Sequence, residues 1–445
     1  MFKTKKTFKQ GGVHPSEHKD LTCSLPIEKL PVPKDILLFT KQHVGSPAEP
    51  ILKPKDPVTV GQKVGSTGTK LGAELHSPVS GTFKDVVNWV HPVTGDDMAI
   101  LIESDGSNNT PEYKRNEWKG LPKEELLRLI QEAGIVGLGG AGFPAHTKIN
   151  LKPGVKVDTL ILNGAECEPY LTCDHRVMLE YGKEMIEGAK IILTILGIKK
   201  CIIAIEDNKQ DAIESLNKLI KEDKDDFIFE ALPMQVKYPQ GSADQIMETA
   251  TGRIRPSGVR SSVIGIIVQN VATTKTIYDA VVLRKPYYEK VITVSGHGIK
   301  RRANLLVPIG TKLKDIVDYL GGTTEDCAKI IFGGPMMGTA VSNLDAPITK
   351  TTAGILFLTK DEIDDKPYGP CINCGFCLDA CPMGLDPRSV SIYVESGHGA
   401  EAKKFNFEDD CFECGSCAFV CPAKRPLVQF IKIARQQINR AAKKS

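Results

Sequence analysis

The chain has 445 residues, enough for about three domains that each bury a core. Its net charge of +3 argues against nucleic-acid binding as the main role, and its 41% apolar and 25% charged residues are typical of soluble globular proteins. The basic start at residues 1–9 has no apolar region and so predicts no signal peptide. Charged residues interrupt the most apolar stretch, 185–205, so no segment is predicted to span a membrane.

Residues 1–110 predict a β-rich domain, because short apolar runs alternate with Pro and Gly. Segments 57–65 and 74–83 resemble the hairpins of biotinyl and lipoyl carrier domains, and Lys70 stands about where a carrier lysine would. The residues that flank Lys70 are not those of a modified lysine. The sequence therefore favours a barrel-sandwich scaffold over covalent attachment of a cofactor.

A polar motif near the start reads Gly11-Gly-Val-His14-Pro-Ser-Glu-His18-Lys19. His14 and His18 are potential metal ligands, since imidazole is a common ligand of metals in proteins. A pair of histidines without further ligands nearby is more often structural, and the sequence favours that interpretation.

Residues 111–286 alternate predicted helices and strands, the pattern of an α/β domain. Leucine and isoleucine at helical spacing predict a helix over 122–133, and apolar runs predict buried strands at 156–162, 200–205 and 262–268. In open α/β sheets, ligands bind outside the carboxyl ends of such strands. The segment therefore predicts a Rossmann-like ligand-binding domain.

A glycine-rich loop at 134–148 follows the first predicted helix. Gly137, Gly139 and Gly142 formally satisfy G-x-G-x-x-G, but the usual context is absent because a helix, and not a strand, precedes them. The backbone N–H groups of such a loop can still approach a phosphate or a flat ring. A purely structural turn is the alternative.

Polar residues follow two of the predicted strands. Asn163, Glu166 and Glu168 come just after the first strand, and Asn270 and Thr273 come after the last. This is the edge of the sheet at which ligands are expected.

Residues 287–350 predict a β-grasp unit of short strands and a helix. A final helix is predicted over 426–442, with basic residues Arg440, Lys443 and Lys444 at its end. These charges suit either a solvated helix end or contact with an anionic lipid surface or an acidic partner.

The strongest signal is a doubled cysteine pattern within residues 360–436. Both runs fit C-x2-C-x2-C-x3-C-P, the bacterial ferredoxin spacing for [4Fe–4S] clusters, in which the fourth cysteine completes the other cluster. A structural zinc site usually needs ligand pairs set further apart, and a disulfide framework needs an oxidising compartment that nothing here suggests. One predicted cluster is bound by Cys371, Cys374, Cys377 and Cys421, and the other by Cys411, Cys414, Cys417 and Cys381.

The order of these motifs is similar to that of a known family. Gly137-x-Gly-Gly-Ala-Gly-Phe-Pro144 followed by Asn163-x-x-Glu-x-Glu-Pro169 resembles the FMN- and NADH-binding subunit of respiratory complex I. With the His14–Lys19 motif, the β-grasp unit and both cysteine runs, residues 5–435 resemble the C subunit (RnfC) of the Rnf complex, a membrane-bound ferredoxin:NAD oxidoreductase coupled to ion translocation. The resemblance implies a multidomain α/β and α+β fold: a barrel-sandwich domain (1–110), a Rossmann-like FMN/NADH domain (111–286), an SLBB β-grasp domain (287–350) and a two-cluster ferredoxin-like helical domain (360–436).

The resemblance also implies a non-covalent FMN on the glycine loop, with NAD(H) beside it as substrate. The chain departs from the complex I subunit at Gly241-Ser242-Ala243, where two acids are missing. The dinucleotide contacts, more than the flavin contacts, are therefore expected to differ. The implied cofactor contacts are Gly137, Gly139, Gly140, Gly142, Asn163, Glu166, Asn270 and Thr273, with Phe143, Lys148 and Glu168 on the nucleotide side.

The expected activity is reversible electron transfer between NAD(H), FMN and two clusters. A hydride carries two electrons and each cluster accepts one, so a flavin between them can take the pair and release electrons singly. Other Rnf subunits are expected to contribute ferredoxin contact and ion transport, with this chain peripheral at the cytoplasmic face of the cell membrane. Two alternatives stay open: a soluble flavin–iron–sulfur reductase like the cobalamin reductases, and a subunit that conducts electrons without flavin or NAD.

Overall fold

The computed structural model describes residues 6–107, 109–140 and 142–442. Lys443 and Lys444 at the end of the predicted last helix lie outside the described residues, as does Ala141 of the glycine loop. Within the described ranges the strands form four sheets, and no helix is both long enough and apolar enough to cross a membrane.

Two antiparallel sheets form the β-rich domain. Side chains of a strand point alternately to its two faces. Accordingly Ile36 and Leu38 pack in one core, whereas Leu37 and Phe39 pack in another. The first strand, β1 (Ile27–Lys29), joins a different sheet. The other strands are β2 (Asp35–Phe39), β3 (Glu49–Pro50), β4 (Pro57–Val58), β5 (Lys63–Ser66), β6 (Leu75–His76), β7 (Gly81–His91) and β8 (Gly95–Ser104), in the orders β2-β8-β7-β4 and β3-β5-β6.

A four-stranded parallel sheet forms the centre of the α/β domain, with helices on both faces. The last strand begins later than predicted, because Ser261–Ile264 form a 3-10 turn that ends at Gly265 with φ of 82°. The strands, in the order β11-β10-β9-β12, are β9 (Thr159–Gly164), β10 (Lys200–Glu206), β11 (Ile228–Met234) and β12 (Ile266–Asn270). The helices are α1 (Lys123–Glu132), α2 (Ala145–Ile149), α3 (Cys173–Glu180), α4 (Gly182–Leu196), α5 (Gln210–Glu222), α6 (Ala243–Thr251) and α7 (Val271–Val282).

The β-grasp unit is larger than the sequence indicates. Its mixed sheet has six strands in the order β1-β14-β13-β17-β15-β16, and β1 arrives from the start of the chain. The unit comprises β13 (Glu289–Ser295), β14 (Ala303–Pro308), α8 (Leu313–Tyr319), β15 (Cys327–Phe332), β16 (Thr339–Val341) and β17 (Gly354–Thr359).

The helical domain repeats one plan: each cysteine run leads into a short helix, and a longer helix follows. The two longer helices and a 3-10 helix at Gly399–Phe405 bury a small core that includes Val390, Phe407, Ile431 and Ala434. The helices are α9 (Phe376–Asp379), α10 (Pro387–Glu395), α11 (Ser416–Phe419) and α12 (Leu427–Ala442).

Residues 6–26, which we name the strap, run along the other domains instead of joining the barrel. Val13 and Tyr238 exchange two backbone hydrogen bonds of 2.8 and 2.9 Å. The N–H of Gly12 donates to the carbonyl of Ala380 at 3.0 Å. The strap therefore touches both the α/β domain and the cysteine-rich domain. Together these units confirm the predicted fold class.

Candidate functional site

A cavity of about 820 Å³ opens at the carboxyl ends of β9 and β12. Its size is typical of a site for a small molecule or cofactor. Four parts of the molecule contribute walls: Gly139 from the glycine loop, Asn163 from a strand end, Met337 from the β-grasp unit and Phe412 from the cysteine-rich domain.

The structure brings six of the eleven predicted cofactor residues to the wall of this cavity. The other five lie behind the wall, in or next to the glycine loop. Those on the wall are Gly139, Gly140, Asn163, Glu166, Glu168 and Asn270, and those behind it are Gly137, Gly142, Phe143, Lys148 and Thr273.

The residues behind the wall shape the glycine loop. The hydroxyl of Thr273 accepts a hydrogen bond of 2.9 Å from the N–H of Leu138, which attaches the loop to the start of α7. The N–H of Gly137 donates to the carbonyl of Phe143 at 2.9 Å and closes the loop on itself. Gly142 has φ of 65°, a left-handed conformation that favours glycine. The loop is therefore held in place from outside the cavity.

Two acidic residues meet at the start of α3. The carboxylate of Glu166 accepts hydrogen bonds from the N–H groups of Asp174 at 2.7 Å and His175 at 3.2 Å, so it caps the helix. Asp174 lines the cavity, and the amide of Asn270 donates to its carboxyl at 2.6 Å. Burial, with the charge of Glu166 as a second cause, raises the pKa of Asp174 to about 7. Sequence reasoning missed Asp174, although an acid that begins a helix beside a strand end was a usable signal.

Glu168 connects the cavity wall to the β-grasp unit. Its two carboxyl oxygens accept hydrogen bonds from the N–H groups of Met336 at 3.1 Å and Met337 at 2.9 Å. Burial raises the pKa of Glu168 to about 7. The Tyr238 hydroxyl lies 3.4 Å from this carboxyl and donates to the carbonyl of Cys414 at 2.7 Å, so one tyrosine joins the cavity to a predicted cluster loop.

Two lysines give the site an anion-binding character. Burial alone lowers the pKa of Lys148 to about 8, with no described carboxylate offsetting that effect. Lys290 lines the cavity, donates to the carbonyl of Lys350 at 2.9 Å, and has its pKa lowered by burial to about 8. A buried ammonium is costly unless an anion pairs with it. Loop N–H groups and Lys290 on the cavity wall, with the charge of Lys148 behind it, therefore fit a flat cofactor that carries a phosphate, such as FMN.

The segment Gly241-Ser242-Ala243 also lines the cavity, where the related protein of complex I has two acids. The next residue, Asp244, lines the cavity too, but its carboxylate pairs with Arg255 at 2.6 and 2.9 Å. The carboxylate closest in sequence to the Gly241-Ser242-Ala243 segment, that of Asp244, is therefore already paired with an arginine.

The predicted cluster ligands fall into two groups. The outer cysteine group, Cys371, Cys374, Cys377 and Cys421, lines one small cavity of about 20 Å³. The inner cysteine group is Cys381, Cys411, Cys414 and Cys417. Burial, with the thiols of Cys414 and Cys381 as further causes, raises the pKa of the Cys411 thiol to about 11. Cys381 also contributes to the raised pKa of Cys414 and of Cys417.

Each group thus combines three cysteines of one run with the fourth of the other run. Among the described residues, no set of three or more His, Cys, Asp or Glu side chains is placed to hold a single metal ion. A [4Fe–4S] cluster needs a different arrangement of ligands, since each of its four irons binds one cysteine thiolate. The two groups fit two such clusters.

The two cysteine groups differ in their surroundings. Next to the inner group, Phe412 lines the large cavity and Tyr238 bonds to Cys414. In the outer group Cys374 is exposed, and the neighbouring Ile372 and Phe376 are 63% and 54% exposed. The inner group therefore borders the cavity, and the outer group lies at the surface.

Comparison with protein families assigns each part of the chain. Residues 6–107 match the RnfC barrel sandwich hybrid domain, and residues 130–279 match the Nuo51 FMN-binding domain. Residues 291–340 match the SLBB domain, and residues 370–424 match the 4Fe-4S dicluster domain. The order of these families is the one the sequence motifs predict.

Whole-chain relatives agree, and each is the C subunit of an ion-translocating complex. That of the proton-translocating ferredoxin:NAD(+) oxidoreductase complex of Clostridium ljungdahlii is 44% identical over 97% of this chain and 94% of its own length. That of the Na(+)-translocating ferredoxin:NAD(+) oxidoreductase complex of Acetobacterium woodii is 37% identical over 97% of both chains. That of the ion-translocating oxidoreductase complex of Rhodobacter capsulatus is 39% identical over 97% of this chain and 83% of its own length.

A crystal structure of an NAD+-reducing [NiFe]-hydrogenase in the H2-reduced state has a similar fold, with a TM-score of 0.50 and 18% identity over 71% of this chain and 62% of that one. Identity at this level shows the fold alone, whereas the relatives match nearly the full length of this chain. The chain belongs to the family of C subunits of ion-translocating ferredoxin:NAD(+) oxidoreductase complexes.

Proposed function

We propose that this chain exchanges electrons between NAD(H) and the other subunits of a membrane-bound, ion-translocating ferredoxin:NAD oxidoreductase. One observation carries the proposal: a cavity lined by the glycine loop and the strand ends directly borders one of two cysteine groups. A nucleotide site and a cluster site in contact are what an electron-transfer protein needs.

The residues of the cavity have distinct parts in this proposal. N–H groups of the glycine loop, with Lys290 on the cavity wall, bind and orient the phosphate and ring of FMN, and Lys148 adds positive charge from behind the wall. Asn163 and Asn270 hold the cavity wall at the same edge of the sheet, since their amides donate to the carbonyl of Gly241 at 2.7 Å and to Asp174 at 2.6 Å. When bound, FMN supplies the exchange between a hydride, which carries two electrons, and carriers that accept one electron. Met337 of the β-grasp unit and Phe412 contribute apolar wall to the cavity.

The cysteine groups then act in order. The inner group holds the cluster nearer to the cavity, and the outer group holds the cluster nearer to the surface. When bound, each [4Fe–4S] cluster transfers single electrons. Exposed Ile372 and Phe376 beside Cys374 offer an apolar contact for the next electron carrier.

The proposed partners follow from the names of the relatives. These relatives are C subunits of complexes that oxidise or reduce ferredoxin and NAD(+) and move protons or sodium ions. We propose that this chain likewise attaches to other Rnf subunits at the cytoplasmic face of the membrane. Those subunits contribute the contact with ferredoxin and the ion pathway.

Anaerobic purification tests the proposal directly. Iron, sulfide and flavin are counted, and visible spectra are recorded before and after addition of NADH. We expect about eight irons per chain, one FMN, and bleaching of the flavin by NADH. Eight irons without flavin or response to NADH would instead make the chain a conductor of electrons alone. Flavin reduction that leaves both clusters oxidised would contradict the proposed order.

A further inference from the structure

The His14–Lys19 motif lies against the predicted flavin site, although none of its residues resembles a cofactor ligand. His14 is exposed, and the ring of His18 stacks on Tyr170 with 4.5 Å between ring centres. The carbonyl of Glu17 accepts a hydrogen bond of 2.8 Å from the N–H of Tyr170. The motif therefore packs on the loop that follows β9, residues 165–172, which we name the acidic loop because it carries Glu166 and Glu168.

Lys19 makes the most specific of these contacts. Its side-chain ammonium donates to three backbone carbonyls of the acidic loop: Glu166 at 2.7 Å, Glu168 at 3.0 Å and Leu171 at 2.7 Å. Three donated bonds match the three N–H groups of a protonated lysine and offset the effect of burial and of Lys209, which lower the pKa of Lys19. Lys19 is 8% exposed, and its charge lies under the backbone of the two predicted cofactor residues.

The acidic loop needs such support, because its backbone is unfavourable. Glu166 has φ of 47° and Tyr170 has φ of 67°, left-handed conformations that residues other than glycine rarely adopt. Conformations of this kind persist only where the surroundings fix them. Lys19 donates to carbonyls at the start and near the end of the loop, those of Glu166 and Leu171, and so fixes the orientation of Glu166 and Glu168.

The other end of the motif packs on the inner cysteine group. A Cβ atom at Gly11 would lie 2.5 Å from the backbone carbonyl of Cys381, so only glycine allows this approach. The N–H of Gly12 donates to Ala380, and Val13 pairs with Tyr238, whose hydroxyl bonds to Cys414. Within nine residues the strap contacts the Cys381 loop of the inner group directly, the Cys414 loop through Tyr238, and the acidic loop of the cavity.

We propose that residues 11–19 position the flavin site against the inner cluster, with Lys19 as the positioning residue of the acidic loop. The proposal rests on the proposed function, because it requires FMN in the cavity. Lys19 itself lies behind the loop and does not touch the cofactor. Its charge also favours the reduced, more negative state of a bound flavin, since an opposite charge nearby stabilises an anion.

The test compares Lys19→Met with Lys190→Met in the full chain with its clusters. Lys190 is a matched control, because it is also 8% exposed and bonded, but to Asp223 and Asp225 on the far side of α4. For Lys19→Met we expect the Kd for FMN to rise about tenfold or more, because three carbonyls of the acidic loop lose their charged donor and the wall residues Glu166 and Glu168 lose their fixed orientation. We also expect the midpoint potential of the flavin to become more negative. Lys190→Met should change neither quantity, and both variants should keep their irons.

The outcomes separate this inference from the proposed function. If the unmodified chain binds no FMN, that result contradicts both the proposed function and the positioning role of Lys19. If the unmodified chain binds FMN and the Lys19→Met variant has the same Kd and the same flavin midpoint potential, that result contradicts only the positioning role of Lys19. If Lys19→Met does not fold, Lys19→Gln replaces it, since an amide can still donate to two of the three carbonyls. An intermediate rise in Kd is then expected, and an unchanged Kd with an unchanged potential would overturn the inference.

Discussion

Asp174 contributes to a pH dependence of the cavity, together with the wall residues Glu168 and Lys290, whose pKa values burial also shifts towards neutrality. In the folded chain this carboxyl is neutral below about pH 7 and charged above it, because burial and Glu166 raise its pKa. Ionisation therefore adds a negative charge to the wall in the range where FMN, itself an anion, has to bind. Affinity for FMN should fall as the pH rises through 7.

The variant Asp174→Asn tests this effect. The asparagine side chain still accepts a hydrogen bond from Asn270 but cannot ionise. We therefore expect the variant to bind FMN about three- to tenfold more tightly than the unmodified chain at pH 8 and equally tightly at pH 6. Quenching of FMN fluorescence on titration into flavin-free protein gives both constants. Riboflavin, which lacks the phosphate, controls for titration of the ligand. Parallel pH profiles for the two proteins would show that Asp174 does not titrate in this range.

Thr273 holds the glycine loop without facing the cavity. The variant Thr273→Val removes the acceptor of the Leu138 N–H and leaves that donor unpaired in a buried place. We expect the Kd for FMN to rise about five- to 150-fold, since a buried unpaired donor costs about 1–3 kcal/mol. Thr274→Val is the control, because its hydroxyl donates to the carbonyl of Asn270, the cap of α7, at 2.9 Å and not to the glycine loop. Equal losses in both variants would mean that helix stability, and not the loop, is responsible.

Sequence reasoning identified residues with a recognisable spacing and missed residues that reach the site through the fold. Glycines and acids near a strand end have a local pattern, so Gly139, Asn163 and Glu168 were predictable. Lys290 and Tyr238 reach the cavity only because β13 and the loop before α6 pack beside it. No pattern within a short stretch of sequence predicts contacts between segments so far apart in the chain.

At the scale of elements, exchange of the fourth cysteine between the two runs makes a sharp prediction. The double variant Cys371→Ser with Cys421→Ser should lose one cluster and keep about four irons, because both residues belong to the outer group. Cys411→Ser with Cys421→Ser should lose both clusters. Iron counts on anaerobically purified protein decide between the pairings, and the reverse pattern would mean that each run binds its own cluster.

Long helices and buried parallel strands were predictable, whereas some of their boundaries were not. The helix predicted over 122–133 occupies Lys123–Glu132, because its apolar spacing is regular. The strand predicted from residue 262 begins at Ile266, since the 3-10 turn before it has the same apolar composition as a strand. The boundary is set by the conformation of Gly265, which composition does not reveal.

At the scale of the whole molecule, Lys350 joins several domains. Its ammonium donates to the carbonyl of Glu74 in the barrel at 2.6 Å and to that of Gly134 beside the glycine loop at 2.7 Å. Its own carbonyl accepts from Tyr287 and Lys290 of the segment that leads into the β-grasp unit. One residue therefore connects three units that the sequence presents as separate.

We expect Lys350→Met to lower the free energy of unfolding by about 1–3 kcal/mol. Two carbonyls lose their donors, while removal of a buried charge offsets part of that loss. Urea unfolding followed by circular dichroism measures the difference. Lys84→Met is the control, since its pairing with Glu103 is exposed and exposed pairs contribute little. A loss no larger than that of the control would show that the junction does not depend on Lys350.

The overall plan of domains follows from sequence motifs, but the connections between domains do not. The barrel, the α/β sheet and the cysteine repeats each have a local signature. The strap and β1 are short, and their partners lie far along the chain, so a window of sequence contains nothing that predicts them.

The pairing of β1 has a consequence for synthesis. Ile27 pairs with Asn304 in the neighbouring strand β14, so about 280 residues separate the partners. At about 5–20 residues per second, a ribosome needs roughly 14–55 s to make that stretch. During this interval the strap and β1 have left the exit tunnel with their edge unpaired, while the barrel and the α/β domain can already fold. Nascent chains are therefore expected to depend on chaperones at their first thirty residues until the β-grasp unit emerges.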